Sequence, residues 1–309
     1  MRRVRYYEYG GPEVLRVEEA EAPEPGSGEL LIRTEAIGVS LPSVRKVREG
    51  GLPLPGVFGG DVAGEVAAVG PDVTGYAVGD RVVAISFTNA YADLALAPTF
   101  TASLIPAAAS AVDAVALVRG GQVALGALAS AGSVEGKSVL VTGAASGAGH
   151  LAVQLARTRG ARRVVAAVGS LDKADFLRGS GVDDVVRYDA ESWGEPVDVV
   201  LDGVGGDVLP RAVAALAPFG RLVFFNSGGG TVPAWELLAG ARTITGMSMA
   251  RFSTAFPDLY ERHRRELWDL ALSSRLRVAV HETFALTDAA KAHAVIEARA
   301  NLGKVVLRP

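Results

Sequence analysis

Hydrophobic and polar positions along this chain fall into two rhythms, and the change between them comes near residue 112. Up to about residue 110, short apolar runs alternate with breaks rich in Gly and Pro. That pattern predicts strands over residues 29–36, 61–69, 81–85 and 91–97, and with them a compact β domain. Beyond residue 112, strand-length apolar runs alternate with longer helical stretches. Strands are predicted at 138–142, 163–168, 184–187, 197–201, 221–225 and 243–247, with helices at 149–159, 171–179 and 207–216. A mostly parallel, doubly wound sheet accounts for this order, so the predicted class is α/β. From about residue 251 a helix over 259–272, a strand near 277–280, a helix at 287–299 and a last strand at 304–307 read as a return to the first domain.

Composition narrows the chemistry. With 309 residues, 49% hydrophobic and 21% charged, the chain can bury two cores without staples. A net charge of −3 supplies no field to hold a phosphate backbone or an anionic membrane, so neither nucleic acid nor membrane is an expected partner. The absence of cysteine excludes disulfides, thiolate nucleophiles and cysteine-held zinc. The four histidines, His150, His263, His281 and His293, include no i, i+4 pair and read as surface or helix residues rather than ligands. No apolar core follows the basic start. The apolar stretch 107–118 is broken by Asp113 and closed by Arg119, short of a membrane span. A cytoplasmic location and a small-molecule substrate are expected.

The stretch VLVTGAASGAG at 139–149 lies directly after a predicted strand and before a predicted helix. Small residues at Ala144, Ala145, Gly147 and Gly149 let the backbone approach a pyrophosphate, while the amides and dipole at the helix start stabilise its charge. Enzymes that bind NAD commonly place an acid at the end of the next strand. Here that place holds Gly169, followed by Ser170 and Lys173, which can offer a hydroxyl and an ammonium to a 2′-phosphate. Tyr188 is near enough in the βαβ order to stack or hydrogen bond. NADPH is the expected cofactor; Asp172 stands as the alternative, a ribose acid.

Eight motifs occur in a known order: YGGPEVL (9–15), GELLIRTEAIGVS (28–40), GGDVAGEVAAVG (59–70), VGDRV (78–82), the glycine turn, VDVVLDGVGG (197–206), GRLVFFNSGG (220–229) and GKVVL (303–307). Across nearly its whole length the chain resembles the zinc-free quinone oxidoreductase branch of the medium-chain dehydrogenase/reductase superfamily. The resemblance implies a GroES-like β-rich catalytic domain, residues 1–112 and 252–309, plus a Rossmann-like dinucleotide-binding domain with a doubly wound parallel sheet, residues 113–251. It implies a homodimer as well. Carried over by position, Ser146, Gly147 and Ala148 would touch the pyrophosphate, with Ala145 beside them. Gly169, Ser170, Lys173 and Tyr188 would hold the adenosine phosphate end, and Val204, Asn226, Ser227 and Gly228 would lie along the cofactor. Gly246, Met247, Ser248 and Arg299 correspond to positions near the nicotinamide and substrate.

Zinc-dependent relatives carry Gly-His-Glu where this chain has Gly60-Asp61-Val62, so no metal is expected. Many zinc-free relatives place an Asp and a Tyr near the nicotinamide, and here Ser43 and Arg45 follow Ser40 instead. Hydride transfer needs no protein nucleophile. The protein must stabilise negative charge on a quinone or an activated C=C acceptor. Arg299, Ser40 and Arg45 are the candidates, with Arg45 equally readable as a solvated loop residue in the run 44–49 and Arg299 as a helix cap. A non-redox role, either a biosynthetic cyclisation or a cofactor-responsive binding module, is the rival reading.

Overall fold

The structure is a computed structural model that describes residues 1–50, 53–225 and 228–309. Packing divides the chain into two units, Met1–Val118 with Ala279–Pro309, and Arg119–Val278. The first unit opens with an antiparallel pair that the sequence reading missed, β1 (Arg2–Tyr6) and β2 (Leu15–Glu19). There follow β3 (Glu29–Val39), α1 (Leu41–Glu49), β4 (Gly60–Val69), β5 (Arg81–Ser86), β6 (Leu94–Pro98) and β7 (Ser103–Leu104). The run expected to be a loop at 44–49 is therefore helix. Pro42 fits its first turn, Val44 and Val47 are buried three residues apart, and Gly50 at φ +80° ends it.

The next element, α2 (Ala111–Ala131), is longer than the predicted apolar stretch. Asp113 does not break it. Ser110 Oγ donates to the Asp113 carboxylate at 2.6 Å and accepts from the Asp113 N–H at 3.0 Å, which caps the helix start. By length and composition α2 could cross a membrane, but its most apolar window is 72% buried in the protein, as in a core helix.

The second unit continues with β8 (Ser138–Thr142), α3 (Gly149–Thr158), β9 (Arg163–Val168), α4 (Ala174–Arg178), β10 (Asp184–Arg187), β11 (Val197–Asp202), α5 (Val208–Ala214), β12 (Leu216–Phe224), α6 (Ala234–Ala239), β13 (Thr243–Gly246), α7 (Met249–Ala255) and α8 (Pro257–Leu272). Its six strands are all parallel, in the order β10-β9-β8-β11-β12-β13. Every residue of β8 is buried, which is why it reads as a continuous apolar run rather than an alternating one.

The chain returns to the first unit at Ala279, later than the expected 252, because α8 packs in the second. Gln122 donates to the Tyr260 carbonyl at 3.0 Å, Leu267 fills the space above Gly121, and Arg159 reaches Glu266 at 2.7 Å. The predicted strand at 277–280 also shifts, since the Arg277 N–H goes to Gln154 Oε1 at 2.9 Å. The strand that does form is β14 (Val280–Ala285), followed by α9 (Ala289–Glu297) and β15 (Lys304–Arg308). These complete a seven-stranded sheet ordered β14-β15-β3-β4-β5-β7, with β6 paired to β3.

Candidate cofactor and active site

The strand order of the second unit reverses direction between β8 and β11, and in open α/β sheets ligands bind beyond the carboxyl ends of the strands at such a point. The glycine turn lies there. Gly143 takes φ +61°, its carbonyl accepts from Ser146 N at 2.9 Å, and Ser146 Oγ accepts from Gly149 N at 3.0 Å. Gly149 admits no side chain, because a Cβ there would run into the Gly143 carbonyl oxygen. Ala148, the N-cap of α3, has no side chain to cap the helix start. Ala144 and Ala145 bury their methyl groups, so only their backbone could face a ligand; Ser146 is exposed and Gly147 and Ala148 half-buried.

Two neighbouring loops are tied to this turn. Tyr188, just past β10, accepts from the Gly143 N–H at 2.9 Å, and its ring lies 3.8 Å from where a Cβ on Gly169 would stand. The phenol thus joins the expected adenosine end to the turn. Ser170 and Lys173 lead into α4, with Ser170 Oγ bound to Asp172 Oδ2 at 2.8 Å. On the other side Asp202, fully buried at the end of β11, accepts from Thr142 Oγ1, Val204 N at 3.1 Å and Gly205 N at 3.2 Å, while Thr142 Oγ1 accepts from Gly203 N at 3.0 Å. This clamp brings Val204 to within 3.2 Å of the place a Cβ on Gly143 would occupy. Gly206 N donates to the Gly229 carbonyl at 2.9 Å, and the Gly228 carbonyl lies beside Gly206. Asn226 and Ser227 lie outside the described residues. Gly246 and Ser248 are exposed at the end of β13, whereas Met247 turns inward against Gly126 of α2.

Sequence reasoning missed Asp202 and Thr142. The signal was present as polar residues closing two apolar parallel strands.

In the first unit Ser40 is the extended N-cap of α1, its Oγ 3.2 Å from Ser43 Oγ. Ser43 in turn hydrogen bonds to Tyr91, whose hydroxyl lies 3.2 Å from His293 Nε2, and Phe58 stacks on Tyr91 at 4.4 Å. Tyr91 and His293 are buried, so the phenol is pushed above its ordinary range and the imidazole is lowered to about 4. Arg45 lies 3.7 Å from Glu49, one helical turn on. Arg299 is exposed just beyond α9, at φ +55°, its N–H donating to the Ile296 carbonyl at 3.1 Å. Of the histidines expected as surface or helix residues, His150, His263 and His293 lie on α3, α8 and α9 and are buried. Among the described residues no group of three or more His, Asp or Glu could hold a metal ion.

A parallel sheet with a glycine turn at its switch point, joined in sequence to a mixed β unit, defines a two-unit protein of the dinucleotide-binding class. Residues 26–99 match the alcohol dehydrogenase GroES-like domain family and residues 180–307 the zinc-binding dehydrogenase family. A quinone oxidoreductase of Pseudomonas aeruginosa is 30% identical, the match covering 100% of this chain and 99% of that protein. A mycobacterial protein solved in complex with NADPH superposes with a TM-score of 0.93 at 35% identity, over 100% of both chains. Escherichia coli quinone oxidoreductase, also solved with NADPH, gives 0.92 at 29%, again over 100% of both. The chain belongs to the zinc-free quinone oxidoreductase branch of the medium-chain dehydrogenase/reductase superfamily.

Proposed function

We propose that this protein is an NADPH-dependent oxidoreductase that transfers hydride to a quinone or an activated C=C acceptor, enone or enoyl, without zinc. The observation that carries the reading is the convergence of the Gly143–Gly149 turn, the Tyr188 phenol and the Asp202-clamped loop at the carboxyl ends of the parallel strands. The two relatives solved with NADPH support it. The residues fit such a cofactor, since a turn that excludes a Cβ at Gly149 and whose N-cap residue, Ala148, brings only a methyl group to the start of α3 lets a pyrophosphate come close to the backbone.

When bound, NADPH supplies the hydride. The backbone of 145–148 would bind its pyrophosphate, Gly169, Ser170, Lys173 and Tyr188 its adenosine phosphate end, and Val204, Asn226, Ser227, Gly228, Gly246, Met247 and Ser248 the remainder. Arg299, with Ser40 and Arg45 as further candidates, would stabilise the oxyanion of the reduced acceptor, and water would protonate it. A guanidinium serves the first task and not the second, since it donates hydrogen bonds but does not release its proton near neutrality.

The domain roles assigned above to the two units, a homodimer and a cytoplasmic location belong to the same proposal. Exposed Phe219, on β12 next to the edge strand β13, and exposed Trp235 and Leu238, on the helix α6 that precedes it in the chain, suit a second copy.

The test is NADPH consumption measured against a panel of quinones, 2-alkenals and enoyl thioesters. Acceptor-dependent loss of NADPH absorbance with at least one class is the expected result. No loss with any acceptor would favour the non-redox reading, which the replacement of the relatives' Asp and Tyr by Ser43 and Arg45 already recommends testing.

A further inference from the structure

Between β9 and α4 the chain passes through Gly169, Ser170, Leu171, Asp172 and Lys173. Ser170 is extended, at φ −141°, and closes this turn upon itself. Its Oγ accepts from the Asp172 N–H at 3.3 Å and donates to Asp172 Oδ2 at 2.8 Å. A serine hydroxyl has one proton to give. While that proton lies on the Asp172 carboxylate it is not available to a phosphate oxygen. The carboxylate also stands one hydrogen bond away from the hydroxyl such a phosphate would seek. The strand end therefore carries one charge of each sign, the Lys173 ammonium and the Asp172 carboxylate, on adjacent residues.

The two nicotinamide cofactors differ at this end by a group whose charge is about −1.5 to −2 near neutrality if present and nil if replaced by a hydroxyl. A carboxylate repels the first and can accept a hydrogen bond from the second. We propose that Asp172 is a specificity-determining residue acting against the phosphate, holding discrimination between NADPH and NADH below what Ser170 and Lys173 would give alone. The inference rests on the NADPH reading of this site. It assigns opposite effects to neighbours: Lys173 raises the preference and Asp172 restrains it.

The experiment is fluorescence titration of the chain with NADPH and with NADH, for the parent, Asp172→Asn, Asp172→Ala and Lys173→Ala, each checked for folding by its melting temperature. Asp172 is exposed, so neither replacement disturbs the core. Both Asp172 variants should bind NADPH about three- to tenfold more tightly at low salt, with NADH affinity unchanged within about twofold or weakened, and the gain should shrink at high salt. Lys173→Ala should move the ratio the other way. If the parent prefers NADPH and neither Asp172 variant widens that preference, the inference is wrong and the NADPH reading stands. If the parent and all variants bind both cofactors alike, both fail.

Discussion

Arg299 stands one residue past the C-cap of α9, in a left-handed conformation that costs a side chain roughly 1–2 kcal/mol relative to the right-handed one. Glycine would be free of that strain, so the position separates a structural from a chemical role. Arg299→Ala should lower turnover by about two to three orders of magnitude, the scale of one lost oxyanion donor, with NADPH affinity kept. Arg299→Gly should lose as much turnover while melting no lower than the parent, because glycine accepts this backbone. Steady-state rates and melting curves of the two variants decide the matter: full activity in both would reduce Arg299 to a helix cap. Arg45, beside Glu49 on α1, should tolerate alanine with a far smaller effect on rate.

At the scale of elements, the strand–turn–helix from β8 to α3 would present the proposed phosphate site, and the end of β11 would keep it in shape. Asp202 is a buried carboxylate surrounded by donors, one hydroxyl and two backbone amides. Asn in its place offers one acceptor oxygen and turns an amide N–H₂ toward donors. Asp202→Asn should therefore lower stability by about 1–3 kcal/mol and weaken NADPH binding as the Gly203–Gly205 loop loosens. Urea unfolding with and without NADPH measures both. A variant that binds NADPH as tightly as the parent would show that the clamp serves folding alone. Strands β8 and β9 are predicted to the residue because parallel strands covered on both faces are nearly uninterrupted apolar runs, and the edge strand β10 because charged Asp184 and Arg187 bound its Val185-Val186 pair. Helix α1 is not, since Arg45, Lys46 and Arg48 hide the Val44–Val47 spacing.

Across the whole molecule, burial holds His150, His263 and His293 at about 4, against an ordinary 6.5. Above pH 6.5 these groups are neutral whether the chain is folded or not, and they give stability no pH dependence. As pH falls from 6.5 to 4 the unfolded chain takes up protons the native state refuses, so stability drops, by up to about 3 kcal/mol for each histidine. Melting temperature should be level near pH 7–8 and decline well before the carboxylates titrate, and His150→Gln and His293→Gln should each flatten the decline. A level profile down to pH 5 would contradict this. Association is the second expectation at this scale. Phe219, on β12 next to the edge strand β13, is 86% exposed, and Trp235 and Leu238, on the helix α6 that precedes β13 in the chain, are each 71% exposed. Light scattering should give about twice the chain mass of 31.9 kDa, and Trp235→Asp combined with Leu238→Asp should return it to a monomer.

The sequence by itself determined the parallel sheet, the glycine turn at its first strand, the absence of cysteine ligands and the lack of an acid at Gly169. Each is written in residues close together, where periodicity and small side chains act locally. Tertiary structure alone decided the polar partnerships: Thr142 with Asp202, 60 residues apart; Gly143 with Tyr188, 45 apart; Tyr91 with His293, 202 apart; and the buried Asp61–Lys304 pair, 243 apart and 2.6 Å long. An apolar pattern tells which face a residue turns inward. It does not say which buried donor meets which acceptor, because that depends on the order in which distant strands are laid side by side.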